Sequence, residues 1–184
     1  NPLETINVNI MGTKNIAKAA QKENVQKMIF ISTDKAVNPI GVMGATKLLG
    51  EKLISAESSH KSNTIFASVR FGNVFQTRGS ILPRIEKQIS EGGPITLTNP
   101  EMKRFFMTKD EAVNLILHAT ELSQGGETFV MKMPIVKLID LFEAMKIVLA
   151  PKFGYESSKI KTKIIGIKRG EKLTESLLTN YELS

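Results

Sequence analysis

Apolar residues along this chain alternate between helical and strand-like spacing. Pro2 suits a first helical turn, and Leu3, Ile6, Ile10, Ile16 and Ala20 recur at helical intervals. The short apolar run from Lys27 to Ser32 predicts a buried parallel strand. A turn follows over Thr33 to Gly41, with Pro39 blocking helix before it. Residues 42–57 restore helical periodicity through Leu48, Leu49 and Leu53, residues 65–71 predict a second strand, and residues 72–79 a loop. Further on, helices are predicted over 81–90, from the capping-box sequence Thr108-Lys-Asp-Glu111 to Leu122, over 137–149 and over 171–178. Strands are predicted over 127–131 and 160–165. Strands alternating with helices define an α/β fold with crossover connections. From Ile81 onward the pattern is less regular, as expected of a smaller lobe set on a doubly wound sheet.

Composition narrows the class without deciding it. The 184 residues are 41% hydrophobic and 23% charged, ordinary for a globular chain. With no cysteine there are no disulfides or thiolate metal sites. No apolar run approaches the roughly 20 residues a membrane helix needs, so a cytoplasmic chain without direct membrane contact is expected. The +7 charge favours anionic ligands. Its lysines are scattered without interleaved aromatics, which speaks against nucleic acid. His60 and His118 have no neighbours with metal-ligand spacing, and no metal site is expected.

The segment Ile31-Ser-Thr-Asp-Lys-Ala-Val-Asn-Pro-Ile-Gly-Val-Met-Gly-Ala-Thr-Lys47 carries the chemistry. Ser32, Thr33, Asp34 and Lys35 directly follow a buried strand, where open α/β sheets bind ligands. Met43 and Lys47 are four apart and share one helix face. A strand ending in Ser/Thr, then a helix with a lysine at this spacing, resembles the short-chain dehydrogenases. Those enzymes carry Tyr-x-x-x-Lys, and Met43 stands here at the tyrosine's place. The Ser32-Thr-Asp-Lys-Ala-Val-Asn-Pro39 and Met43-Gly-Ala-Thr-Lys47 pair is similar to one branch of the inverting UDP-N-acetylglucosamine 4,6-dehydratases, where methionine occurs at this position. Further matches run in order along the chain: Asn9-Ile-Met-Gly-Thr13, Arg70-Phe-Gly-Asn-Val74, Arg78-Gly-Ser-Ile-Leu-Pro83, Pro94-Ile-Thr96, Arg104-Phe-Phe-Met-Thr108 and Gly166-Ile-Lys-Arg-Gly-Glu-Lys172.

The resemblance implies the C-terminal portion of a Rossmann-type doubly wound parallel sheet over 1–80. Residues 81–184 would be mainly an α+β substrate-binding lobe, with some segments returning to the sheet. It implies a lyase with NADP or NAD that converts UDP-N-acetylglucosamine to a 4-keto-6-deoxy sugar for surface polysaccharide or glycan synthesis. Thr33 would bind O4, Asp34 act as acid, Lys35 as base at C5, and Lys47 as clamp, with Ser32, Thr33 and Lys47 against the cofactor. Because Met43 exchanges no proton, Asp34 is expected to take the C4 hydroxyl proton. Arg104 and Arg169 are candidates for the diphosphate, since guanidinium forks match phosphate oxygens. Asn73, Arg78, Ser80 and Glu171 are candidates for the rest of the UDP-sugar. The family's glycine-rich dinucleotide loop has no counterpart here, so roughly the first third of the domain is expected to be absent and the piece alone inactive. A homo-oligomer is expected. The residues leave open a nucleotide-sugar epimerase or reductase, a non-catalytic binding module, and an Asp34–Lys35 pair that is only a solvated turn.

Overall fold

The computed structural model describes residues 1–58, 63–75, 77 and 80–183. The chain opens with helix α1 (Pro2–Ile6), a π-helical stretch (Asn7–Gly12) and α2 (Thr13–Lys22), then strand β1 (Lys27–Thr33), a 3-10 turn (Asp34–Ala36) and α3 (Val42–Ser58). It continues through β2 (Ile65–Phe71), β3 (Asn73–Val74), α4 (Ile81–Ser90), β4 (Ile95–Leu97), β5 (Lys103–Met107) and α5 (Lys109–Leu122). The last elements are β6 (Thr128–Val130), β7 (Ile135–Lys137), α6 (Leu138–Leu149) and β8 (Thr162–Ile164). These form two compact units, Asn1–Gly72 with Asp110–Lys132 and Ser176–Ser184, and Asn73–Lys109 with Met133–Glu175.

The first unit is built on a parallel sheet in the order β1-β2-β6. β1 and β2 pair from Lys27↔Ile65 to Thr33↔Phe71, and β2 pairs with β6 from Ser68↔Thr128 to Arg70↔Val130. β2 lies between two strands, and Phe66, Ala67, Ser68, Val69 and Arg70 are all buried, as a strand covered on both faces requires. Ala17, Phe30, Ile54 and Phe66 form the core that packs α2 and α3 onto the sheet. Burying a phenylalanine or isoleucine there stabilises by about 1.5–3 kcal/mol each. The small faces of the helices allow close approach. α2 buries Thr13, Ala17 and Ala20, and a Cβ on Gly50 of α3 would overlap the Phe30 ring.

Arg70 occupies the centre of this unit and is 2% exposed. Its Nε and Nη2 donate to Glu51 of α3 at 2.9 and 2.7 Å. Nη1 and Nη2 donate to Glu182 at 2.9 and 2.8 Å, and Nη1 also donates to the Leu177 carbonyl at 3.0 Å. Burial by itself would lower the guanidinium's pKa, but the hydrogen bonds and charges of the two carboxylates outweigh it and hold the pKa above its ordinary value. Glu182 is displaced the other way, from 4.5 to about 2, chiefly by Arg70's hydrogen bonds. Burial opposes that shift, and the Thr179 amide and hydroxyl assist it.

The second unit has its own core, in which Ile85, Ile89, Ile95, Leu97, Phe106 and Phe142 are fully or almost fully buried. β5 lies between β3, to which it is parallel, and β7, to which it is antiparallel, and β4 pairs with β8 in parallel. α4 ends where Gly92 and Gly93, at φ 81° and 85°, turn the chain into a conformation that side chains resist.

The pattern-based elements differ from the structure in two ways. The helix expected over 171–178 does not form. Its residues Leu173 and Thr174 are held by β5 instead. Thr174 bridges to Lys103, and the Leu173 carbonyl accepts from the Lys103 amide at 2.8 Å and from Arg104 Nη1 at 3.1 Å. Strands β3, β4, β5 and β7 have two to five residues, too few to show a period, and were not anticipated.

Two measurements test the Arg70 network. Arg70→Met should destabilise the protein by about 3–5 kcal/mol, because it leaves Glu51 buried without its partner. Urea denaturation showing a loss under about 1 kcal/mol, the size of a surface pair, would contradict the network's importance. Since folding depresses the Glu182 pKa, its contribution is complete above pH 4.5 and fades as pH falls towards 2. Glu182→Gln should therefore flatten the fall in melting temperature over that window, and an unaltered pH profile would count against the assignment.

Candidate functional site

The carboxyl end of β1 is shaped by three consecutive polar residues. Thr33, the last strand residue, caps the 3-10 turn by accepting from the Lys35 amide. Its Oγ1 donates to Asp34 Oδ1 at 2.8 Å, and Lys35 Nζ reaches the same oxygen at 2.8 Å. Asp34 is fully buried, and its Oδ2 has no hydrogen-bond partner among the described residues. The Lys35 side chain is 32% exposed. One carboxylate oxygen thus gathers a hydroxyl and an ammonium while the other is left over inside the protein. Such a group costs stability unless something else satisfies it.

α3 is fitted to this turn by its third residue. Gly44 is buried, and a Cβ there would collide with the Lys35 carbonyl and press on Pro39. One turn later, Lys47 Nζ donates to the Ile31 carbonyl at 2.9 Å and lies 4.8 Å from the Phe30 ring centroid. Burial lowers its pKa below the ordinary lysine value. Met43 lies on the same side of α3 and is 43% exposed. Ser32 is buried, and its hydroxyl has no hydrogen-bond partner among the described residues. Thr33, Asp34 and Lys35 therefore make one hydrogen-bonded group, and Lys47 is anchored two residues back on the same strand.

The remaining candidates belong to the second unit, apart from Arg78, which lies outside the described residues. Asn73 opens β3 and is in register with Phe106 of β5. Arg104, on the same strand as Phe106, is nearly buried, with Nη1 on the carbonyls of Lys103 and Leu173 at 2.7 and 3.1 Å. Ser80 precedes α4, and its buried hydroxyl makes no capping bond. Arg169 is exposed at the tip of a turn closed by the Glu171 amide on the Lys168 carbonyl at 3.1 Å, with Gly170 at φ 84°. His60 lies outside the described residues. His118 is exposed beside Glu121, and no group of metal-ligating side chains occurs among the described residues. No described helix is long and apolar enough to cross a membrane.

Sequence reasoning missed the roles of Glu51 and Glu182, whose partner Arg70 was marked only as part of a motif. Nothing local signals a pairing over 112 residues. A second missed pair, Asn9 with Thr46, is likewise separated by 37 residues.

This parallel sheet, with helices packed on it and polar residues gathered at a strand's carboxyl end, is of the Rossmann type, and solved structures agree. Pen from Bacillus thuringiensis superposes with a TM-score of 0.92 at 44% identity, covering 97% of this chain and 55% of that one. MoeE5 in complex with UDP-glucose and NAD shares the fold, with a TM-score of 0.75 over 92% of this chain and 61% of its own, at 17% identity. The polysaccharide biosynthesis protein family model matches residues 1–184, and the chain belongs to that family. Among relatives that match the whole chain, a membrane protein of Methanocaldococcus jannaschii is 51% identical. The capsular polysaccharide biosynthesis protein CapD of Staphylococcus aureus is 48% identical, and a UDP-glucose 4-epimerase of Rickettsia canadensis 40%. The chain spans 56%, 30% and 52% of those three proteins respectively.

The fit of α3 against the turn is open to test. Gly44→Ala should lower stability by about 1–3 kcal/mol as an overpacked contact. Gly12→Ala should be neutral or stabilising, since a Cβ there meets only the Asn7 carbonyl at 3.6 Å and alanine favours helix. Thermal melts giving equal losses for the two variants would remove the claim.

Proposed function

We propose that the protein is a nucleotide-sugar 4,6-dehydratase that converts UDP-N-acetylglucosamine to a 4-keto-6-deoxy sugar with inversion at C5, in the synthesis of surface polysaccharide. The observation that carries this reading is the buried Asp34 carboxylate, which holds Thr33 and Lys35 on one oxygen and leaves the other without a partner among the described residues. A simple C4 epimerisation needs neither a base at C5 nor an acid at C6. This group supplies both kinds of side chain next to each other.

The first unit is read as the C-terminal part of a dinucleotide-binding domain, and the second as the substrate lobe. A nicotinamide dinucleotide, NADP or NAD, would supply the hydride acceptor at C4 and the donor at C6. The half-buried Lys47 ammonium fits its ribose hydroxyls, and the buried Ser32 hydroxyl fits a polar group of the same ligand. Thr33 would hydrogen-bond to the sugar's O4. Asp34 takes the O4 proton as C4 becomes a ketone, which acidifies the C5 proton. Lys35, once its ammonium proton has passed to solvent, removes that C5 proton, while Asp34 passes its own to the departing C6 hydroxyl, which leaves as water. A proton from solvent reaches C5 from the opposite face and inverts the centre, and the proton held on Lys35 returns to solvent. Met43 exchanges no proton and serves as an apolar wall. In the substrate lobe, Arg169 is exposed and suits the diphosphate, with Glu171 on the same turn for ribose hydroxyls. Asn73, Arg78, Ser80 and Arg104 complete the proposed set.

A 4-epimerase is the second reading, favoured by the 40% identity to the Rickettsia canadensis epimerase. Incubating the intact protein with UDP-N-acetylglucosamine and following the sugar by proton NMR separates the two. The dehydratase yields a C6 methyl signal, and Asp34→Asn should reduce its rate by about 10²–10⁴-fold. Formation of the C4 epimer with no methyl signal would establish the epimerase instead, and binding without turnover would leave a non-catalytic module.

A further inference from the structure

The N-terminal stretch of α3, which bears Met43 and Lys47, is held from outside the candidate site by a chain of side-chain hydrogen bonds. Asn9 lies in the π-helical stretch Asn7–Gly12, a widening of the helix that tends to occur at functional places. Thr13 Oγ1 donates to the Asn9 carbonyl at 2.7 Å. The Asn9 side chain donates from Nδ2 to Thr46 Oγ1 at 3.0 Å. Thr46 Oγ1 donates in turn to the Met43 carbonyl at 2.9 Å. A hydroxyl has one proton, and the Met43 carbonyl takes it, so the Asn9 amide must be the donor at the other end. Thr46 is 3% exposed, so its hydroxyl meets both partners from a buried position.

Thr46 precedes Lys47 by one residue and follows Met43 by three. Two contacts meet this stretch from outside the helix: Gly44 lies against the Lys35 carbonyl, close to the Asp34 turn, and Thr46 accepts from Asn9. Rotation determines whether the Lys47 amine meets the Ile31 carbonyl and the Phe30 ring. We propose that Asn9 and Thr46 are a positioning pair that fixes the rotation of α3's N-terminal stretch and thereby places Lys47 and Met43 in the site. Neither touches the reacting atoms. The reaction the pair serves rests on the functional reading above, but the placement of Lys47 does not.

The test is competitive acetylation of the folded full chain across a pH series, with each lysine's extent of modification read by peptide mass spectrometry. Lys52, exposed on the same helix, is the internal reference. Thr46→Val keeps the side chain's shape and removes both bonds. It should raise the Lys47 midpoint towards the reference by about half a pH unit or more, as the amine loses its buried setting. Thr46→Ser should retain the wild-type midpoint. Asn9→Ala, at a partly exposed position, should reproduce the valine shift, and the double variant should shift no further than either single. A Lys47 midpoint unchanged in Asn9→Ala with native circular dichroism would overturn the proposal, as would a serine variant that behaves like valine. The measurement needs no turnover, so missing dehydratase activity would sink the functional reading while leaving the positioning pair standing.

Discussion

A single buried guanidinium organises the unit that carries the candidate site. Arg70 lies on the central strand of its sheet, where a lone charge would be strongly disfavoured. It is tolerated because its donors are spent on Glu51, Glu182 and the Leu177 carbonyl. This ties together strand β2, helix α3 and the returning segment Ser176–Leu183. Buried ion pairs gain little over well-packed apolar residues, but losing one partner is costly. The network therefore acts more as a constraint on how the three elements meet than as a source of net stability. α3, held by Glu51 at one point, carries Lys47 one turn earlier.

The candidate site follows from that constraint. β1 delivers Thr33 at its carboxyl end, and the 3-10 turn folds Asp34 inward with Lys35 on it. Gly44 lets α3 come close enough that the two backbones nearly touch. Each contact depends on small or short side chains: a glycine under a carbonyl, a threonine as cap, an aspartate that reaches its neighbours without a long linker. Replacing any of them with a larger residue would widen the turn before it altered the chemistry. The buried hydroxyl of Ser32 and the buried Oδ2 of Asp34 are the polar atoms this arrangement leaves without a partner among the described residues. Buried polar groups without a partner are uncommon in native folds.

Much of this was visible along the chain. Helices α3, α4 and α5 and strands β1 and β2 emerged with nearly their observed bounds, because their apolar periods run over two or more turns or five or more strand residues. The Thr33–Asp34–Lys35 group was legible because its members are adjacent, and any turn after a strand would bring them together. Lys47 was legible through its spacing to Met43, a property of the helix alone. Arg169 and Glu171 also fell on one turn for a local reason, since Gly170 permits it.

What the sequence determined by itself was the set of elements whose patterns are closed within a few residues, and with them the α/β class and the polar end of β1. Tertiary structure alone decided which distant groups pair. It joined Arg70 to Glu51 and Glu182, and Asn9 to Thr46, and it held Leu173 and Thr174 against β5 where residues 171–178 read as a plausible helix. The physical reason is common to all of these. A short strand, a buried charge or an open hydroxyl has no preferred partner in its own neighbourhood, so its fate depends on which donors and acceptors the folded chain presents to it.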